Sequence, residues 1–177
     1  KQLYEGVDIG GGAIGLITYM RTDSVTLADE ALDEIRAFIA ERYGADQVPD
    51  QPRRFKTKAK NAQEAHEAIR PTSVQQRPDD IKEHLSREQF RLYELIWKRT
   101  VASQMNHATI DTVSADLAAG DKGVFRATGS TIAKPGFMAV YLEGRDDNAG
   151  NDDEKMLPPL KEGESVELLA IRPEQHF

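Results

Sequence analysis

Tyr19 and Arg21 are where this sequence concentrates its chemistry, two residues apart in the run Gly15-Leu16-Ile17-Thr18-Tyr19-Met20-Arg21-Thr22-Asp23-Ser24. A phenol and a guanidinium aimed at one target suggest an oxyanion such as phosphate, because arginine offers it a planar fork of donors. Leu16 and Ile17 are apolar enough to anchor a short buried strand, and Thr22-Asp23-Ser24 reads as a loop or helix start. The pair therefore falls where a rigid element meets solvent. In extended backbone, positions i and i+2 project to the same face, which would point both groups the same way. The residues alone leave a plainer reading open, in which a half-buried tyrosine hydroxyl finds any acceptor and Arg21 is solvated.

Two further stretches carry suitable groups. Ala62-Gln63-Glu64-Ala65-His66-Glu67-Ala68-Ile69-Arg70 is expected to be helical and stopped by Pro71. On a helix His66 and Arg70 would share a face, and they repel if both are charged unless an anion lies between them. The alternative is a core or capping histidine, with Arg70 paired to Glu67 or Glu64. The densest basic stretch is Arg53-Arg54-Phe55-Lys56-Thr57-Lys58-Ala59-Lys60, five cations in eight residues around one aromatic. It could neutralise phosphates while Phe55 stacks or packs, or it could be a solvated loop.

These groups need elements to hold them. Lys1 to Glu5 starts without an N-cap, as expected of a segment cut from something longer. Gly10-Gly11-Gly12 is loop punctuation, since the strand and helix of a nucleotide-binding fingerprint are in the wrong places. Leu27 to Tyr43 is an amphipathic helix with Ala28, Ala31, Leu32, Ile35, Phe38 and Ile39 on its apolar stripe, capped near Thr26 and ended by Gly44. If that helix starts near Asp23 or Ser24, its free amides would attract a phosphate beside Tyr19. Val48 to Pro52 is a turn-rich linker. Ser86-Arg87-Glu88-Gln89 is a capping box with Leu85 and Phe90 as its staple, opening a helix to about Met105 that is expected to be buried on more than one side, with Trp97 in the core. Beyond it the period changes. Thr109–Leu117, Val124–Thr131, Phe137–Leu142 and Ser165–Ile171 read as short strands, with an acidic loop over 145–154 that fails the calcium-loop spacing. The expected fold is α+β: a mainly helical domain over residues 1–105, then an antiparallel β-rich segment over 106–177.

The run around Tyr19 resembles the active-site tyrosine motif of type IA DNA topoisomerases, and Glu64-Ala65-His66-Glu67-Ala68-Ile69-Arg70-Pro71 resembles that family's second signature. The order and the intervening spacing are similar to its bacterial branch. The resemblance implies that Tyr19 attacks a phosphodiester of single-stranded DNA, leaving a 5′-phosphotyrosyl link and a free 3′-hydroxyl, so that reversal reseals the strand without ATP and negatively supercoiled DNA is relaxed. Arg21 would stabilise the phenolate and the phosphoryl oxygens. Thr18, Asp23 and His66 would orient or relay, and Arg70 would hold DNA. Arg53, Arg54, Lys56, Lys58 and Lys60 are candidate DNA contacts. The family's Mg²⁺ is bound by an acidic Toprim domain that completes the site. No such segment precedes Tyr19 here, so cleavage by these residues alone is expected to be feeble or absent, no metal ligand is expected among them, and the remainder of the same polypeptide is an implied partner. A decatenating family member, a non-catalytic single-stranded DNA-binding module and a hydrolase using His66 and Asp23 are the other readings.

Composition bounds these readings. The 177 residues contain no cysteine, which excludes a disulfide framework, a zinc finger and a thiol nucleophile. No apolar run approaches the roughly 18 residues that a membrane span needs, so a soluble, cytoplasmic protein without membrane partners is expected. A net charge of −7 looks unfavourable for nucleic acid. The excess is local, however: residues 1–105 hold 16 Lys/Arg against 17 Asp/Glu, whereas 106–177 hold 7 against 13. Binding depends on such local fields.

Overall fold

Leu16 and Ile17 have their backbone groups satisfied from two sides, and the helical unit is built around that arrangement. The Leu16 and Ile17 amides both donate to the carbonyl of Leu3, at 2.7 and 3.2 Å. On the other side, Thr72 N–H donates to Leu16 O at 3.0 Å, Thr18 N–H donates to Arg70 O at 2.9 Å, and Ile17 forms an antiparallel bridge with Pro71. Both side chains are buried. The buried strand expected here is thus a single bridge, because each neighbour offers only a residue or two of backbone. Gly15 permits the close approach: a Cβ there would lie 2.6 Å from the carbonyl oxygen of Tyr4.

The structure, a computed structural model, describes residues 1–55, 66–142, 157–158, 160–172 and 175. The chain is α+β and divides into two compact units, residues 1–109 with 134–144, and residues 110–133 with 145–177. The first unit opens with a helical turn, α1 (Gln2–Glu5), and a two-residue hairpin, β1 (Val7–Asp8) with β2 (Ala13–Ile14), in antiparallel register Val7↔Ile14 and Asp8↔Ala13. The glycines between them let Asp8 Oδ1 accept from the amides of Gly10 and Gly12, at 2.9 and 3.2 Å.

Two long helices carry the core. α2 (Asp29–Tyr43) buries Ala31, Leu32, Ile35, Phe38 and Ile39 on the expected stripe and stops at Gly44, whose φ of 107° few other residues adopt. Its start differs from expectation. The N-cap is Ala28, whose amide donates to the carboxylate of Glu67 at 3.0 Å. A carboxylate from a distant loop takes the place expected of a local cap near Thr26, and the helix begins past Ser24 with the Ala28 amide already occupied. A short helix α3 (Pro78–Ile81) precedes α4 (Arg87–Ser103), which opens with the expected capping box between Ser86 and Gln89. Only one stripe of α4, Tyr93, Trp97, Thr100 and Val101, is buried, while Leu92 and Leu95 are exposed. The expectation of burial on several sides is corrected accordingly.

Trp97 packs edge-on against Phe38 with ring centroids 5.6 Å apart, and its indole N–H donates to Val74 O at 2.9 Å. Tyr93 Oη donates to Gln76 O at 2.7 Å. These polar handles hold the segment after Pro71 on the core while the rings fill it. Phe137–Leu142 is a 3₁₀ turn (Gly136–Ala139) and irregular chain, not a strand. Gly136 has φ 49° and lies so close to the backbone of His107 that no Cβ would fit.

The second unit contains a hairpin of β3 (Thr109–Ala118) and β4 (Val124–Lys134), joined by a tight loop that makes it antiparallel. Ser114 faces Thr128 at 3.1 Å and Asp116 pairs bidentately with Arg126 at 2.7 and 2.9 Å, so two steps along one strand match two back along the other. Residues 165–171 are described but form no strand, and the expected fourth strand is corrected to irregular chain. The acidic loop over 145–154 lies outside the described residues.

Candidate active site

Thr18, Ala68 and Arg70 tie the two motif segments together. Thr18 Oγ1 donates to Ala68 O at 2.7 Å and accepts from Arg70 N–H at 3.0 Å. Ala68 N–H donates to Thr26 O at 2.8 Å. These bonds explain why residues 66–70 are not helical, against expectation. The amides that would close helical turns at 68 and 70 are spent on tertiary acceptors, and Pro71 supplies none. His66 and Arg70 therefore do not share a helix face. The remaining positions of that expected helix, 62–65, lie outside the described residues.

After Thr18 the chain turns instead of continuing as strand, since Arg21 N–H donates to Tyr19 O at 2.9 Å. The alternation expected to align Tyr19 with Arg21 does not apply. Their arrangement comes from the turn and from His66. Tyr19 is 50% exposed, its ring edge-on to Tyr4 at 5.3 Å and tilted beside His66 at 6.2 Å between centroids. His66 Nδ1 lies 3.2 Å from Asp23 Oδ2, and its Nε2 lies 3.3 Å from Arg21 Nη1. Asp23 Oδ2 also lies 3.5 Å from Arg21 Nε, closing a triangle of three side chains.

Donor and acceptor roles in that triangle follow from elementary chemistry. A guanidinium can only donate and an ionised carboxylate can only accept, so the imidazole donates from Nδ1 to Asp23 and accepts at Nε2 from Arg21. That pattern is the neutral imidazole with its hydrogen on Nδ1. Asp23 Oδ1 is buried with no hydrogen-bond partner among the described residues, an acceptor available to an incoming donor.

Arg70 is held differently. Its Nε and Nη2 donate to the two oxygens of Glu67, at 2.7 and 3.2 Å, and Nη1 donates to Pro71 O at 2.8 Å. Glu67 also receives the Ala28 amide, so one carboxylate braces the loop against both Arg70 and α2. The sequence offered Glu67 only as a partner for Arg70; its contact with Ala28, 39 residues away, has no local signal. Tyr4, the aromatic neighbour of Tyr19, was not singled out either.

The basic stretch is described only in part, with Lys56, Lys58 and Lys60 outside the described residues. Arg53 is fixed through its backbone, since buried Gln104 accepts from its amide and donates to its carbonyl, both at 3.0 Å. Its Nη1 lies 2.9 Å from His107 Nε2. Arg54 pairs with Asp29 in the first turn of α2.

Among the described residues no group of three or more His, Asp or Glu could hold a metal ion, so these residues do not fit the implied Mg²⁺. Nor is any helix among them long and apolar enough to cross a membrane.

A family model described as DNA topoisomerase matches residues 1–177. The chain is 57% identical to DNA topoisomerase 1 of Xylella fastidiosa (strain Temecula1) and 56% identical to that of Rickettsia bellii, covering 100% of this chain and 22% of each relative. It is also similar to the solved full-length topoisomerase I of Thermotoga maritima, with a TM-score of 0.61 and 39% identity over 81% of this chain and 22% of that one. The chain spans about a fifth of the length of these relatives, and with its whole length matched by the family model it belongs to the DNA topoisomerase family.

Proposed function

We propose that this chain supplies the nucleophile and its positive partner for breaking and rejoining one DNA strand. The observation that carries the reading is an exposed Tyr19 beside a closed Arg21–His66–Asp23 triangle in a chain of this family. Tyr19 Oη forms a bond to phosphorus as the bond from phosphorus to the 3′-oxygen breaks, and the phenolic proton ends, net, on the 3′-hydroxyl. One phosphodiester replaces another, so the step needs no ATP. A phenol, with an ordinary pKa of about 10, reacts at neutral pH only where positive charge stabilises its oxyanion, and Arg21 is the cation assigned to this. Asp23 fixes the His66 tautomer, and His66 fixes Arg21. Thr18 clamps the two segments, and Arg70 acts as a brace through Glu67.

The substrate of this reading is single-stranded DNA within negatively supercoiled DNA, in the cytoplasm. The Mg²⁺ of the full-length enzyme, with the Toprim and other domains, belongs to the rest of the polypeptide, and these residues alone are inactive. Relaxation of negatively supercoiled plasmid by the full-length polypeptide, with no ATP added, tests the reading. The expected result is relaxation that Tyr19→Phe abolishes. Relaxation surviving Tyr19→Phe would refute it, and retained single-stranded binding without any relaxation would mark a DNA-gripping module instead.

A further inference from the structure

Two clefts of the first unit run into one another along α4. The first, of about 590 Å³, is walled by Thr22 and Ser24 just after the Tyr19 turn, by Ala68 and Ile69 between His66 and Arg70, and by Phe55 and Arg99. The second, of about 320 Å³, shares Phe55, Arg99 and Ser103 with the first and continues to Arg53, His107 and Tyr141. Among the described residues neither is lined by an Asp or Glu, although the chain has 30 of them against 23 Lys and Arg. Three other clefts all carry carboxylates: Glu88 and Glu94 in one, Asp116 and Glu162 in another, Asp46 in the third. The described lining of this groove is therefore opposite in charge to the protein as a whole.

Its cations are pre-positioned. The Arg99 guanidinium lies over the Tyr141 ring at 5.2 Å, with Nη1 donating to Tyr141 Oη at 3.1 Å. Arg53 is fixed by Gln104, and its Nε is buried without a hydrogen-bond partner among the described residues. Phe55, shared by both clefts, is 50% exposed. Ordered cations flanking an exposed aromatic, with hydroxyls and, among the described residues, no carboxylates between, are what a single strand of nucleic acid needs for backbone neutralisation and base stacking.

We propose that this groove is the track for the single-stranded DNA lying 3′ of the break, with a base stacked on Phe55 and phosphates passing Arg99 and Arg53. The inference rests on the tyrosine reading above: a strand attached through its 5′-phosphate to Tyr19 starts close to this groove, whose lining begins at Thr22, three residues beyond that tyrosine.

The test uses the full-length polypeptide and a single-stranded oligodeoxynucleotide carrying one 2-aminopurine a few nucleotides 3′ of the cleavage position. Affinity is read by anisotropy, stacking by quenching of the analogue, and fold by circular dichroism. Phe55→Ala is expected to weaken binding about tenfold and relieve the quenching, with Phe55→Trp retaining both. Arg99→Gln should reduce the slope of log affinity against log salt by about one. Unchanged affinity and quenching in Phe55→Ala, while the Tyr19 adduct still forms, would overturn the track and leave the tyrosine reading intact; a protein segment covering the groove would give that result. Absence of any Tyr19 adduct with Phe55-dependent binding preserved would overturn the tyrosine reading, and with it the placement 3′ of a break, leaving only a groove that binds single strands.

Discussion

Asp23 and His66 lie 43 positions apart in sequence, yet Oδ2 of one and Nδ1 of the other are 3.2 Å apart, and that contact sets how the histidine faces Arg21. With Nδ1–H committed to the carboxylate, Nε2 is left as the acceptor for the guanidinium. Asp23→Asn preserves the shape but can offer a donor where the imidazole also has one, which permits the opposite tautomer. On the proposed mechanism, single-turnover cleavage by the full-length polypeptide should fall about 100-fold, the usual scale for a misplaced reacting group, with single-stranded binding almost unchanged. Equal losses in binding and cleavage would instead mark Asp23 as purely structural.

Glu67 bears more structure than its motif position suggests. It receives the Ala28 amide and both Nε and Nη2 of Arg70, whose side chain is only 16% exposed. Glu67→Ala leaves a mostly buried guanidinium without its counter-charge and the α2 start without its cap, so a loss of about 3 kcal/mol is expected in denaturant unfolding. Glu67→Gln keeps an acceptor for the amide and should recover part of that. A change below about 0.5 kcal/mol for Glu67→Ala, the range of ordinary surface substitutions, would remove the brace from the account.

Some of this architecture was legible in the sequence. The α2 stripe, the Gly44 stop, the Ser86–Gln89 capping box and the β3–β4 hairpin are local patterns that the packing reinforces. The misreadings fall where a tertiary partner outbids a local one. Residues 66–70 look helical, but Thr26 O and Thr18 Oγ1 take the amides a helix would use. Residues 137–142 look like strand, but the turn at Gly136 packed on the His107 backbone sets their course. The Asp23–His66–Arg21 triangle has no local signal, because its contacts span 43 and 45 positions. Only the resemblance of the two motifs suggested that their residues belong together.

Tyr93 provides a pH test of the core. It is fully buried, and burial, helped by the nearby Glu34 charge, holds its phenol well above the ordinary value. A group whose folded pKa exceeds its unfolded value contributes stability that is complete below the unfolded pKa, about 10 for tyrosine, and is lost as pH rises towards the folded value. Spectrophotometric titration should therefore show Tyr93 ionising only with unfolding in strong alkali. Tyr93→Phe should remove that final step and cost about 1 kcal/mol at neutral pH through the lost bond to Gln76 O. Ionisation of all five tyrosines near pH 10 in the folded protein would contradict the burial.

Gly15 tests the threading beneath the site. A methyl group there meets backbone, the Tyr4 carbonyl, at 2.6 Å, so relief requires moving either α1 or the segment that presents Tyr19. Gly15→Ala should destabilise by about 1–3 kcal/mol and slow cleavage more than it weakens DNA binding. A variant with unchanged stability and rate would show that this approach is not constrained.

The central claim is that Tyr19 forms the covalent link to DNA. Full-length polypeptide with Mg²⁺ is incubated with 3′-labelled single-stranded DNA, denatured and digested, and the labelled peptide is identified by mass spectrometry. The account predicts a nucleotide mass on the peptide containing Tyr19, joined through a 5′-phosphate and absent in Tyr19→Phe. A labelled adduct on any other residue, or one that persists in Tyr19→Phe, would contradict it.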